Sequence, residues 1–329
     1  MAANQYDLSG DEALPDHYKD LNCALAKSMK IMIVDVHTHC SSRPDWLSYD
    51  PVKNEHIRWI TVSQLLKRMD QEGIDRAVIL PLHSPESSIE SVPTRDVIRM
   101  CKMHSSKLIP FCNPDPRLNM GSEKDLAFIL QEYKKEGCKG VGEITANIYF
   151  DDQRTLNLFR ICEELKLPVL FHIGPKEGGC YGLIDEFRLP RLEKCLKAFP
   201  ELTFIGHSQP FWAEISGDLK PEERNGYPTG KVAPGGRVVE LLRNYPNLCA
   251  DLSAGSGYNA ISRDPEFGLQ FLEEFQNRLM FGTDLDAPGQ DIPQLRYLRH
   301  LEEDGKISKN VYDKIMYQNA TRILSLNLG

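Results

Sequence analysis

From Ile31 onward, short runs rich in Ile, Val, Leu and Phe alternate with longer segments whose apolar residues recur every three or four positions. The first pattern predicts buried strands and the second amphipathic helices. Eight runs have the strand character, at 31–36, 76–82, 108–112, 139–145, 168–171, 203–205, 248–252 and 279–282. Between them, Thr61 and Gln64 form a capping box ahead of an apolar stripe of Leu65, Leu66 and Met69, and Gly73 can end the turn. Leu126, Ile129, Leu130 and Tyr133 mark a second helix, and Leu158, Ile161, Cys162 and Leu165 a third. Strand and helix alternating eight times predict an α/β protein. A (β/α)8 barrel and a doubly wound sheet both accommodate that alternation.

The chain has 329 residues, which a domain-length prior of roughly 100 to 200 residues would divide in two, although an α/β barrel runs to about 250 residues as one unit. We expect a polar extension over 1–30 and a single barrel domain over 31–329. The segments 174–190 and 209–235 are long loops, which in a compact domain are commonly functional, and 307–329 reads as closing helices. With 39 Lys and Arg against 47 Asp and Glu, the net charge is −8 and no basic cluster opposes it. That disfavours nucleic acid as a partner and points to a small molecule. No apolar run reaches the ~18 residues of a membrane-spanning helix, and the first thirty residues lack a signal-peptide core, so a cytoplasmic location is expected. A homo-oligomer is compatible with this composition. The nine cysteines are scattered without a C-x-x-C pair and read as reduced thiols, most of them in the core.

The chemistry collects at the ends of the apolar runs. The first leads into Asp35-Val36-His37-Thr38-His39, where strand parity places both imidazoles on one face. Such a pair can bind a metal or simply hydrogen-bond. Recurrence favours the metal: His172, His207 and Asp284 each follow another apolar run directly, and strands of one polarity in a barrel open their ends onto one face. Glu143 lies inside the apolar run Gly140-Val141-Gly142-Glu143-Ile144, where a carboxylate needs either a cationic side chain or a metal. Asp35 shares the inward parity of His37, and could orient a ligand or cap the barrel floor.

These segments together resemble the amidohydrolase superfamily, in particular its amidohydrolase-2 branch. The resemblance is carried by Val34–His39, Gly140–Glu143, Pro168–His172, Pro200–His207, Asp251–Ser253, Phe281–Asp284 and Asn319–Leu324. It implies a distorted (β/α)8 barrel with one or two divalent ions, most simply zinc, with manganese as a further candidate. His37, His39, His172 and Asp284 carry over as ligands, and His207 as a ligand or a catalytic histidine. The Gly142-Glu143-Ile144 piece is similar to the strand-4 motif of TatD-like hydrolases, which would make Glu143 a bridge between two ions.

A metal-dependent hydrolase follows, cleaving an amide, lactone or ester with Asp284 as general acid-base. The alternative is non-oxidative decarboxylation of an aromatic or unsaturated carboxylate, in which His207 and Asp284 could also serve. A binding or scaffold protein that has lost catalysis would require a missing ligand, and none is missing. Substrate contacts are expected from the strand-end loops, at Arg43, His83, Asn147, Tyr181 and Trp212, with Trp46, Asn113, Lys176 and Gln209 as further candidates.

Overall fold

Apolar runs with both faces covered are what a parallel sheet under helices requires, and eight of the strands form such a sheet. A computed structural model of the chain describes residues 32–50, 55–87, 90–118 and 122–327. The polar extension over 1–30 lies outside the described residues. In chain order the strands are β1 (Val34–Thr38), β2 (Leu47–Asp50), β3 (Glu55–Arg58), β4 (Arg76–Ile79), β5 (Leu108–Pro110), β6 (Val141–Ile144), β7 (Val169–Gly174), β8 (Leu183–Ile184), β9 (Phe204–His207), β10 (Leu248–Asp251) and β11 (Leu279–Met280).

Parallel ladders join β1-β4-β5 and β6-β7-β9-β10-β11. The two sheets meet along two seams, each a few hydrogen bonds around an isolated parallel bridge, Cys112–Val141 at one and Thr38–Leu285 at the other. At one seam Cys112 N donates to Gly140 O at 3.1 Å and Gly142 N to Cys112 O at 2.8 Å. At the other, Val36 N donates to Phe281 O at 3.0 Å and Asp284 N to His37 O at 2.8 Å. The result is a distorted eight-stranded α/β barrel of the TIM type, with the ladders interrupted at the seams.

The helices follow their sequence signals. Thr61 and Gln64 cap the helix Val62–Glu72 reciprocally, and Gly73 ends it at φ 71°. Leu126 and Leu130 are the buried positions of Glu123–Lys135, and Leu158, Ile161 and Cys162 are among those of Gln153–Glu164. Outward-facing Phe171 and Phe204 pack with Phe150 and Phe159 beneath these helices, with Phe150 and Phe171 edge to face at 5.0 Å between centroids. Strand parity then turns His172 and His207 inward. The tail contributes Lys309–Asp313 and Asn319–Ile323, joined by a π-helical turn.

Three elements depart from the sequence reading, the first being the short helix Gln209–Ala213 that opens the 209–235 segment, capped by Ser208. The loop after β1 carries the antiparallel pair β2 and β3, and the 174–190 loop returns through β8 to lie beside β7. The eight described cysteines are unpaired, seven of them buried. Burial pushes the Cys40 thiol up to about 12, which suits packing rather than reactivity. Among the described residues, no helix is long and apolar enough to cross a membrane.

Candidate metal centre and active-site cavity

The C-terminal ends of five strands deliver six buried or half-buried donors to one spot. His37 sits on β1 and His39 just beyond it, while the intervening Thr38 turns the other way and donates to Val78 O at 2.7 Å. Glu143 enters from β6 after Gly142, which stands so close to β7 that a Cβ there would lie 2.6 Å from Leu170 O. His172 and His207 are register partners on the neighbouring strands β7 and β9. Asp284 follows β11 in a left-handed conformation, φ 57°, which its amide hydrogen bond to His37 O and Gln290 Nε2 donating to Asp284 O at 2.8 Å hold in place.

The two oxygens of Glu143 serve different histidines. Oε1 is 2.7 Å from His172 Nδ1 and 3.8 Å from His207 Nε2, whereas Oε2 is 3.6 Å from His37 Nε2 and 3.4 Å from His39 Nε2. Asp284 Oδ1 closes the second group, at 3.3 Å from His37 Nε2 and 3.4 Å from His39 Nε2. Three overlapping sets of donors are thus close enough to hold an ion: His37, His39 and Glu143; Glu143, His172 and His207; and His37, His207 and Asp284. Among the described residues, each ion-pair partner of Glu143 and Asp284 is one of these imidazoles, so no Lys or Arg compensates either carboxylate.

The rear nitrogens of three rings are already committed. His39 Nδ1 lies 3.0 Å from the Leu80 carbonyl, which can only accept, so that nitrogen carries the proton. Asp251 accepts from His37 Nδ1 at 2.8 Å through Oδ2 and from His207 Nδ1 at 3.0 Å through Oδ1. Ser253 Oγ donates to Asp251 Oδ1 at 2.5 Å and lies 2.9 Å from His207 Nδ1. Neutral rings held this way present Nε2 lone pairs to the centre, and those of His37 and His39 are 3.2 Å apart. Lone pairs and carboxylates converging at that distance require a cation between them, either bound protons or a metal.

The electrostatics agree with that requirement. Burial opposes charge on His37, but the Asp284 and Asp251 carboxylates outweigh it and hold the imidazole well above its ordinary range. Burial likewise opposes charge on His39, and hydrogen bonds to Asp284 and Glu143 push it up to about 9. Burial would raise the Glu143 carboxyl, but hydrogen bonds from His172, His37 and His39 keep it well below the usual range. Imidazole and carboxylate donors of this kind suit zinc and other first-row divalent ions.

A cavity of about 480 Å³ opens above the centre, bordered by Trp59, Tyr181, Gln209 and Tyr227 as well as by His39, Glu143, His172, His207 and Asp284. The Tyr181 ring lies 4.4 Å from that of His172. The other expected substrate contacts lie elsewhere. Arg43 is exposed, with its guanidinium 5.5 Å from the Trp46 ring. His83 borders a separate cavity of about 330 Å³ with Arg95 and Tyr133. Asn147 is spent on the 176–182 loop, donating to Lys176 O and Gly182 O and accepting from Gly178 N. Trp212 is buried, and its Nε1 donates to Asp251 O at 3.1 Å. Asn113 also has an internal role, donating to Pro81 O and to the carbonyl of Glu143.

Asp35 accepts from His37 N, Thr283 N and Thr283 Oγ1, and so fastens the β1 end to the segment before Asp284. Asp251 was not among the site residues expected from the sequence. Its available signal was a carboxylate at the end of the apolar run that forms β10.

A sequence model of the amidohydrolase family matches residues 34–326. The chain therefore belongs to the amidohydrolase family, in its amidohydrolase-2 branch, and is an enzyme of a metal-dependent, hydrolase-like kind. Its fold is similar to that of an uncharacterized TIM-barrel protein from Bordetella bronchiseptica, with TM-score 0.60 and 18% identity over 89% of this chain and 98% of the other. A probable 2-pyrone-4,6-dicarboxylic acid hydrolase from Acinetobacter baumannii gives TM-score 0.56 and 14% identity over 89% and 99% of the two chains. For 5-carboxyvanillate decarboxylase from Sphingomonas paucimobilis the values are 0.55 and 14%, over 90% and 100%. No curated protein matches the sequence significantly.

Proposed function

We propose that this protein is a metal-dependent hydrolase that cleaves an amide, lactone or ester bond of a small molecule. The observation that carries this reading is the division of Glu143, one oxygen toward His37 and His39 and the other toward His172 and His207. That division suits a bridging carboxylate. His37, His39, Asp284 and Glu143 would hold one divalent ion, zinc or manganese, and His172, His207 and Glu143 a second. Such ions supply acidified water and Lewis acidity toward a carbonyl.

The chain's own residues do the rest. Asp284 is 28% exposed through its side chain while Glu143 is 5% exposed, so Asp284 is the carboxylate that reaches the cavity. It accepts a proton from the attacking water and returns it to the leaving group. Asp251 holds the tautomers of His37 and His207 that keep their Nε2 atoms inward. With a single ion, His207 Nε2 would instead be free to polarise the substrate carbonyl. Tyr181, bordering the cavity beside His172, contacts the substrate.

The test is metal content by elemental analysis of untagged protein beside Glu143→Ala, with turnover assayed on lactones, amides and esters. The expected result is two ions falling to one, with hydrolysis lost in the variant. One ion in both proteins, with carbon dioxide released from an aromatic carboxylic acid, would replace this reading with the decarboxylase.

A further inference from the structure

The segments 174–190 and 209–235 each bring one tyrosine to the cavity, Tyr181 and Tyr227. Asn147 secures the near flank of Tyr181 by donating to Lys176 O and Gly182 O. The far flank is held from the other segment. Arg224, shortly before Tyr227 in the chain, donates through Nη1 at 2.7 Å to the carbonyl of Asp185, which lies shortly after Tyr181. Its Nε is 2.7 Å from Oε1 of Glu214, the residue that ends the helix Gln209–Ala213. Glu214 Oε2 in turn accepts from Arg188 N at 2.9 Å. One guanidinium and one carboxylate thus fasten the two segments to each other.

This clamp is internal. Arg224 is 4% exposed and Glu214 1%, and burial pushes the Glu214 carboxyl up to about 7 against the pull of the guanidinium. Removing one partner of such a buried pair is strongly destabilising, because the other charge is left without compensation. Arg188 and Arg237 also join the two segments, at Gly235 O and Arg188 O, but those contacts lie farther along the chain from both tyrosines.

We propose that Arg224 is a positioning residue, which locks the Tyr181 and Tyr227 segments into one mouth over the centre, so that substrate affinity and not metal affinity depends on it. The part played by substrate rests on the hydrolase reading above; the clamp itself rests on the two segments alone.

The test uses zinc-loaded full-length protein at about pH 8, where Glu214 is mostly ionised. Amide exchange of 182–189 and 218–231 is compared between wild type and Arg224→Met, with the helix Glu123–Lys135 as reference. Exchange in both segments is expected to rise at least about tenfold while the reference is unchanged. With 4-nitrophenyl acetate as substrate, KM is expected to rise at least about tenfold, with kcat within about threefold and zinc content as in wild type. If Arg224→Met does not fold, Arg224→Lys, which keeps the charge but loses the planar fork, is expected to give smaller changes of the same kind. Unchanged exchange in 182–189, or a fall in kcat or zinc content with KM unaltered, would overturn the proposal. Loosened segments in a protein whose wild type hydrolyses no ester, lactone or amide would overturn the hydrolase reading and leave the clamp intact.

Discussion

Replacing Asp251 with Asn tests how the centre is held together. The carboxylate serves two rings at once, accepting from His37 Nδ1 at 2.8 Å and His207 Nδ1 at 3.0 Å. An amide of the same shape has one accepting oxygen and one donating nitrogen. The ring that meets the nitrogen must accept at Nδ1, which moves its own proton to Nε2 and removes it as a ligand. Loss of a hydrogen-bonding partner behind a metal-binding histidine costs about 10- to 100-fold in metal affinity, or ~1.4 to 2.7 kcal/mol. The Asp251→Asn variant is expected to fold, because the Trp212 indole donates to the Asp251 backbone carbonyl and that bond survives. Competition for zinc against a chromophoric chelator at neutral pH reads the change, with a denaturant melt as the control for folding. A folded variant whose zinc affinity stays within about twofold of wild type would refute the assignment of Asp251 as the group that sets both tautomers.

Two further outcomes follow from the geometry. Gly182 adopts φ +103°, and a Cβ there would lie 2.6 Å from Gly174 N and 2.8 Å from His172 Cδ2. Gly182→Ala should therefore lose about 1–3 kcal/mol to backbone strain and, by displacing His172, at least about tenfold in kcat; a chemical melt and steady-state kinetics measure the two. On the outer surface, the Tyr245 hydroxyl, 2.7 Å from Glu193 Oε1, together with Lys197 and Arg237 holds the Glu193 carboxyl at about 2 against its ordinary 4.5. A depressed carboxyl stabilises the fold above 4.5 and loses that contribution as pH falls toward 2. The gap in melting midpoint between wild type and Glu193→Gln should be steady above pH 5 and shrink below it; a gap unchanged down to pH 3 would contradict the reading.

The barrel strands were legible because each is covered on both faces, so its run is mostly apolar, and at β7 and β9 a histidine marks the end of the apolar stretch. His172 and His207 stand out for that reason. The hairpin of β2 and β3 was not, since Leu47-Ser48-Tyr49-Asp50 and Glu55-His56-Ile57-Arg58 are short and charged, and among the described residues they have no sheet partner besides each other. Asp251 stayed hidden because a carboxylate two residues before a helix N-cap reads equally well as a capping or turn residue. The cavity wall was the least legible part. Gln209 and Trp212 lie within one short helix, yet Gln209 borders the cavity while Trp212 is buried against the backbone of β10. Which of the two meets a substrate depends on how the segment lies over the barrel, and local composition does not encode that.

The seam between β1 and β11 also bears on how the protein is made. His37 and Asp284 come from the first and last strands of the barrel, joined by the hydrogen bond from Asp284 N to His37 O. During vectorial synthesis Asp284 emerges 245 residues after His39, so the two histidines must wait for that length of chain before it can reach them. A truncated nascent chain holds imidazoles in plenty but lacks the clasp, so any ion it captures sits in an incomplete and exchangeable site. An ion held by His37, His39 and Asp284 would therefore bind tightly only to chains that have closed the ring, and would latch completed folding rather than nucleate its start.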